Sequence, residues 1–131
     1  MPYLLDTNVL LRFAHRADPQ HLLVRGALRR LSDAGESLHV VPQNLYEMWA
    51  DRLLRLTQRL FPLLPDTPDV FARWQEIVVQ AGVSGVEAHD ARLVAAMRAH
   101  GLTHILTLNT TDFARYAGSP YNIVARDPAS V

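Results

Sequence analysis

The chain has no cysteine and no lysine, and neither sign of charge prevails over its 131 residues. Without cysteine there can be no disulfide and no thiolate metal ligand, so a reducing compartment is the default expectation. Without lysine there can be no Walker A loop, and no Gly-x-Gly-x-x-Gly stands in its place, which argues against the common nucleotide-binding motifs. All 13 bases are arginine. Genomic base composition explains that bias, and arginine's bidentate fit to phosphate makes it compatible with an RNA partner without predicting one. The 13 acids cancel the 13 bases, so no gross basic field argues for nucleic acid. Long apolar runs are missing too. Asp6 interrupts the apolar N-terminus before a signal-peptide core can form, and nothing approaches the ~20 apolar residues of a membrane span. A soluble, cytoplasmic chain is expected, with residues 1–131 forming one domain around a single core.

What the chain does have is hydrophobic content of 49%, ordinary for a folded domain, arranged in alternating periods. Tyr3–Leu5 reads as a short buried strand, with helix from Asp6 to Ala14. Asp18-Pro19 reads as an N-cap followed by proline at the first helical position, and Val24, Ala27, Leu28 and Leu31 form the helical face that follows, closed by Gly35. Leu38–Val41 is a second strand, stopped by Pro42. A helix from Asn44 carries Leu45, Met48, Trp49, Leu53 and Leu56. Phe61–Pro65 is bounded by prolines and reads as an irregular third strand. Thr67-Pro68 repeats the cap-then-proline signal before the face of Val70, Phe71, Trp74, Ile77, Val78 and Ala81, closed by Gly82. Ser84-Gly85-Val86-Glu87 has the form of a capping box, and Gly101 ends its helix. Ile105–Leu108 is the fourth strand, Asp112–Tyr116 a short helix and Asn122–Ala125 the fifth strand. Strands separated by helices imply a parallel sheet with right-handed crossovers.

Four carboxylates stand where such a sheet binds ligands, beyond the carboxyl ends of its strands. Asp6 ends the first strand, Glu47 lies in the helix after the second, Asp90 begins the helix leading to the fourth, and Asp112 follows the fourth. Each has an ordinary alternative. Asp6 can cap its helix, Glu47 can close a capping box with Asn44, Asp112 can cap the short helix, and Arg92 or His89 can compensate Asp90. Their coincidence on one rim favours a shared site. At an effective dielectric of ~20, each like-charge pair ~4 Å apart costs about 4 kcal/mol, so convergence implies cations between them. All-oxygen ligands suit Mg2+ or Mn2+, which can activate water and polarise a phosphodiester. Asp6-Thr7-Asn8 lacks the second aspartate at i+2 needed by a haloacid-dehalogenase-type phosphatase, and no serine–histidine–aspartate arrangement stands out.

Leu4-Leu5-Asp6-Thr7-Asn8-Val9-Leu10, Pro42-Gln43-Asn44-Leu45-Tyr46-Glu47, His89-Asp90-Ala91-Arg92-Leu93-Val94-Ala95-Ala96-Met97 and Leu106-Thr107-Leu108-Asn109-Thr110-Thr111-Asp112-Phe113 resemble the motifs of PIN-domain nucleases. The compact size resembles the VapC-type toxins of toxin–antitoxin pairs. The resemblance runs from Tyr3 to about Val124. It implies a three-layer α/β/α sandwich with a parallel five-stranded sheet, and Mg2+- or Mn2+-dependent hydrolysis of RNA by a homodimer inhibited by a small antitoxin. By motif, Asp6, Glu47, Asp90 and Asp112 would hold the ions. Asn109 would be the polar residue beside the fourth acid, and Thr7 and Asn8 the pair supporting the first.

One departure stands out. Many such toxins have a longer insertion with a proline and glycine loop after the second acid, whereas Trp49–Leu60 here reads as one continuous helical stretch. Arg52, Arg55 and Arg59 recur along it, either as a solvated face or as a phosphate- or antitoxin-facing stripe. Two other functions share the fold: a PIN-type RNA-processing nuclease, and a catalytically silent module binding RNA or protein. A neighbouring reading frame for a short DNA-binding antitoxin favours the toxin, and divalent-ion binding favours an enzyme over a silent module.

Overall fold

A computed structural model describes residues 1–131 other than Trp49. β1 (Pro2–Leu5) buries Tyr3, Leu4 and Leu5 in succession, as a central parallel strand covered on both faces must. It pairs in parallel with β2 (Ser37–His39) on one side and β3 (His104–Leu106) on the other, and β4 (Val124–Arg126) adds to β3. The sheet order is β2-β1-β3-β4.

Alternation along the strands divides the apolar residues between two cores. Tyr3, Leu5 and Leu106 face α1 (Thr7–Ala14) and α2 (His21–Asp33), whose Val9, Leu10, Val24, Leu28 and Leu31 are buried there. Leu4 and Ile105 face the opposite core, built from α5 (Val70–Ala81) and α6 (Glu87–Ala99). The result is the expected α/β/α layering. Gly82 and Gly101 follow α5 and α6 at φ 63° and 69°, a left-handed conformation that costs glycine least.

Among the described residues the sheet has four strands, not five. Leu63 makes a single parallel bridge to Val40, flanked by Val40 N donating to Pro62 O (3.1 Å) and Leu64 N donating to Val40 O (2.8 Å). Extending the ladder would need Pro62 N to donate toward Leu38 or Pro42 N toward Leu64, and neither proline has an amide hydrogen.

The helix expected from Asn44 through Leu56 is also divided, although Asp51–Leu60 does run as one helix. α3 (Pro42–Tyr46) ends at Glu47, and α4 (Asp51–Leu60) begins after Ala50, which is extended. Trp49 lies outside the described residues. α3 is tied to α6 by Gln43 and to the end of β1 by Asn44, while Leu53 and Leu54 of α4 pack on the α1–α2 side. One straight helix cannot make both contacts.

Helix starts also shift. Asp18 Oδ1 accepts from Gln20 N (2.8 Å), but regular helix begins only at His21, after a turn through Pro19. Thr67-Pro68 likewise precedes α5 by a turn. Ser84 supplies its carbonyl rather than its hydroxyl to Glu87 N, so no capping box opens α6. Residues Thr110–Tyr116 form a 3-10 helix.

Candidate functional site

The strand order reverses between β1 and β3: the chain leaves β1 toward β2 on one side and β3 toward β4 on the other. The crevice at such a reversal lies beyond the strands' carboxyl ends. Asp6 and Thr107 are the residues that follow β1 and β3 there. Asp6 N donates to Leu106 O (2.9 Å), and Thr107 Oγ1 donates to Asp6 Oδ2 (2.8 Å), closing the crevice across the two strands.

Asp6 is only 8% exposed. Its Oδ1 accepts from Thr7 N (2.8 Å) as it caps α1, so the capping role expected of it is real but engages one oxygen. The other oxygen accepts from Thr107 and, at 3.4 Å, from Asn8 Nδ2. Burial raises the Asp6 pKa; the Thr107 and Thr7 hydrogen bonds oppose this, and the charges of Glu47 and Asp112 add to it. Asn8 also spans the strand ends, with Oδ1 accepting from Leu108 N (3.3 Å) and Nδ2 reaching Thr107 Oγ1 (3.4 Å). Thr7 Oγ1 accepts from Asn44 Nδ2 (3.0 Å).

Asp90 lies in the first turn of α6, half-buried. Burial pushes its carboxyl up to about 6, reinforced by the charges of Asp6, Asp112 and Glu47 and weakly opposed by His89. Arg92 does not compensate it. That guanidinium lies 3.8 Å from Asp66 and above the Tyr46 ring. Among the described residues, none of Asp6, Glu47, Asp90 and Asp112 forms an ion pair with a base.

Glu47 is exposed at the carboxyl end of α3 and is not part of a capping box. Asn44 instead turns back, its Oδ1 accepting from Val41 N (2.8 Å) and its amide donating to Leu5 O (3.1 Å). Asp112 is exposed on the 3-10 turn, where it caps nothing. Asn109 is exposed, and its backbone N donates to Thr107 Oγ1 (3.0 Å).

Asp90 and Asp112 line a cavity of about 200 Å³ together with Glu87, Thr111, Arg115 and Tyr116. The Tyr116 hydroxyl is buried and has no hydrogen-bond partner among the described residues. Arg115 binds Glu87 at 2.6 Å on the rim. Among the described residues, no three acidic or histidine side chains form a ready-made ion cage. The donor chemistry nonetheless fits a hard cation. Carboxylates, hydroxyls and amide oxygens are the ligands Mg2+ and Mn2+ prefer, and the uncompensated repulsion at Asp90 is what such a cation relieves.

Sequence reasoning missed Thr107, Asn44 and the Glu87–Arg115 pair as parts of this region. Thr107 sits directly after a strand, where a polar side chain at the rim is a usable signal. Asn44 was read only as a partner for Glu47. Glu87 and Arg115 are joined only by folding and leave no pattern along the chain.

The chain is similar in fold to VapBC2 from Rickettsia felis bound to a promoter DNA fragment, with TM-score 0.72 and 15% identity over 97% of this chain and 98% of that one. It is also similar to a toxin-antitoxin complex from Klebsiella pneumoniae (TM-score 0.64, 19% identity, 98% and 99% covered). A third such structure is VapC20 of Mycobacterium tuberculosis, a Sarcin-Ricin loop cleaving toxin (TM-score 0.59, 19% identity, 79% and 86% covered). No curated protein matches the sequence. Residues 3–119 match the PIN domain, and the chain belongs to that family.

Proposed function

We propose that this chain is a divalent-metal-dependent endoribonuclease, the toxin of a toxin–antitoxin pair, working as a homodimer with RNA as substrate and a cognate antitoxin as inhibitor. The observation that carries the catalytic reading is the set of mutually repelling, unpaired carboxylates at the strand-order reversal, with Asp90 held near 6. The toxin assignment draws on the Klebsiella complex and on the RNA-cleaving activity named for VapC20. Phe71 and Val79 leave apolar side chains exposed on one face of α5, which suits a homodimer.

Asp6 and Asp90 would hold the tighter Mg2+ or Mn2+ ion, with Glu47 adding negative charge that acts on both. Thr7 and Asn8 fix the first acid. Asp112, exposed at the cavity mouth, orients the attacking water with Asn109 and takes its proton. A bound divalent ion supplies Lewis acidity to the phosphodiester and eases deprotonation of water. The water oxygen bonds to phosphorus in line as the P–O3′ bond breaks, and the 3′ oxygen takes a proton from bulk water. The products are a 5′-phosphate and a 3′-hydroxyl.

Incubation of purified protein with RNA and Mg2+ or Mn2+ tests this reading. Cleavage is expected, with loss of at least ~10²-fold in rate in Asp6→Asn and full loss with chelator. Equal cleavage by Asp6→Asn removes the assignment.

A further inference from the structure

We propose that the arginine cleft between α1, α2 and α4 is an RNA-backbone site, holding substrate phosphates away from the scissile bond. This rests on the ribonuclease reading above. The cleft, about 790 Å³, is walled by Arg16, Arg25, Arg52, Arg55 and Arg59 over a floor that includes Phe13. Against five arginines it has one carboxylate, Asp51, a surplus of four positive charges. Asp51 is bound to Arg55 at 2.8 Å.

The pairing of the remaining arginines is the deciding observation. Arg12, Arg73, Arg92 and Arg115 pair with carboxylates, while Arg30, Arg98 and Arg126 bind backbone carbonyls. Among the described residues, the arginines without an ion-pair or hydrogen-bond partner are Arg16, Arg25, Arg29, Arg52 and Arg59. Four of these wall the cleft, and Arg29 lies one turn along α2 from Arg25. Exposed guanidinium forks with nothing to bind, drawn together from α2, α4 and the turn after α1, match a run of phosphates.

Overall charge makes such a site useful. The chain is neutral, and the carboxylates around Asp6 and Asp90 repel phosphate wherever no cation offsets them. A local positive surface supplies the attraction that neither provides. α1 joins the two places directly: Asp6 caps its first turn, while Phe13 and Ala14 at its other end line the cleft. Eight helical residues span roughly 12 Å, so a strand seated at the acids reaches the arginines within a few nucleotides. α4 begins the same approach from Glu47, with Arg52 in its first turn. Arg52, Arg55 and Arg59, a stripe along the sequence, thus form one wall of a three-sided site.

The test uses Asp6→Asn protein in EDTA, so that binding is read without cleavage, with fluorescein-labelled poly(U) RNA as probe. The variant Arg16→Gln/Arg25→Gln/Arg52→Gln/Arg59→Gln is compared with Arg73→Gln, which removes a paired charge elsewhere. The cleft variant is expected to bind at least ~10-fold more weakly at low salt. Its slope of log affinity against log salt should shrink by roughly 0.7 per lost contact. Arg73→Gln should leave both unchanged. Unchanged affinity and slope in the cleft variant overturn the proposal. So does arginine-dependent binding of poly(glutamate) with RNA binding unaffected, which makes the cleft a site for acidic protein segments. If unsubstituted protein cuts RNA in Mg2+ and the cleft variants bind and cut equally, only the cleft assignment falls. If unsubstituted protein neither binds nor cuts, the ribonuclease reading falls with it.

Discussion

Asp90 carries the sharpest charge conflict among these residues. Its carboxyl is raised from 3.8 to about 6 by burial and by Asp6, Asp112 and Glu47. A carboxyl whose folded pKa exceeds its unfolded value binds more protons in the native state across that window. Stability therefore falls as pH rises from ~4 through about 6, and the penalty persists above it. It amounts to at most about 3 kcal/mol. Asp90→Asn removes that penalty. In urea denaturation with EDTA, the variant should match the wild type near ~pH 4 and exceed it increasingly toward ~pH 7. A pH-independent difference would mean the charge conflict is not at Asp90. Asp90 as a candidate was legible, because it stands on the apolar stripe of Val94 and Met97 at the core edge. The source of its shift was not, because three of the four contributing charges come from other elements.

At the scale of elements, parallel strands and their intervening helices followed from apolar periods and from Gly82 and Gly101, whose φ angles are positive. Boundaries followed less well. Pro19 and Pro68 lie in turns before their helices, because a proline-containing turn can satisfy a carbonyl before regular helix starts. The Phe61–Pro65 segment shows how one residue type limits an element. Leu64 N donates to Val40 O, whereas Asp66 N, the next amide on the same side, has no backbone acceptor among the described residues. Amide exchange by NMR should show Leu64 at least ~10-fold slower than Asp66. Equal protection of the two would mean a regular fifth strand. The break between α3 and α4 left no sequence signal, since Leu45, Met48, Leu53 and Leu56 continue an apolar stripe across it.

For the whole molecule, the decisive feature is that acids from separate elements repel one another, and among the described residues none of them pairs with a base. A ligand that binds only the folded state stabilises it, by about 2.7 kcal/mol at a hundredfold excess over Kd. Mg2+ or Mn2+ should therefore raise the melting temperature at ~pH 7 by roughly 10 °C for a domain of this size. Asp6→Asn and Asp90→Asn should each lose most of the rise. An identical rise in these variants would place the ion elsewhere. No helix among the described residues is long and apolar enough to cross a membrane.

The sequence by itself determined the layered α/β architecture, the buried first strand and the candidate acids, because local periodicity and a charge at a strand end are properties of neighbouring residues. Tertiary structure alone decided what surrounds them. It set Thr107 against Asp6, assigned Asn44 to Leu5 rather than Glu47, paired Arg92 with Asp66 instead of Asp90, and gathered arginines from α2, α4 and the turn after α1 into one cleft. Those outcomes depend on residues far apart along the chain, and the strand order that brings them together is fixed only when both faces of the sheet are buried.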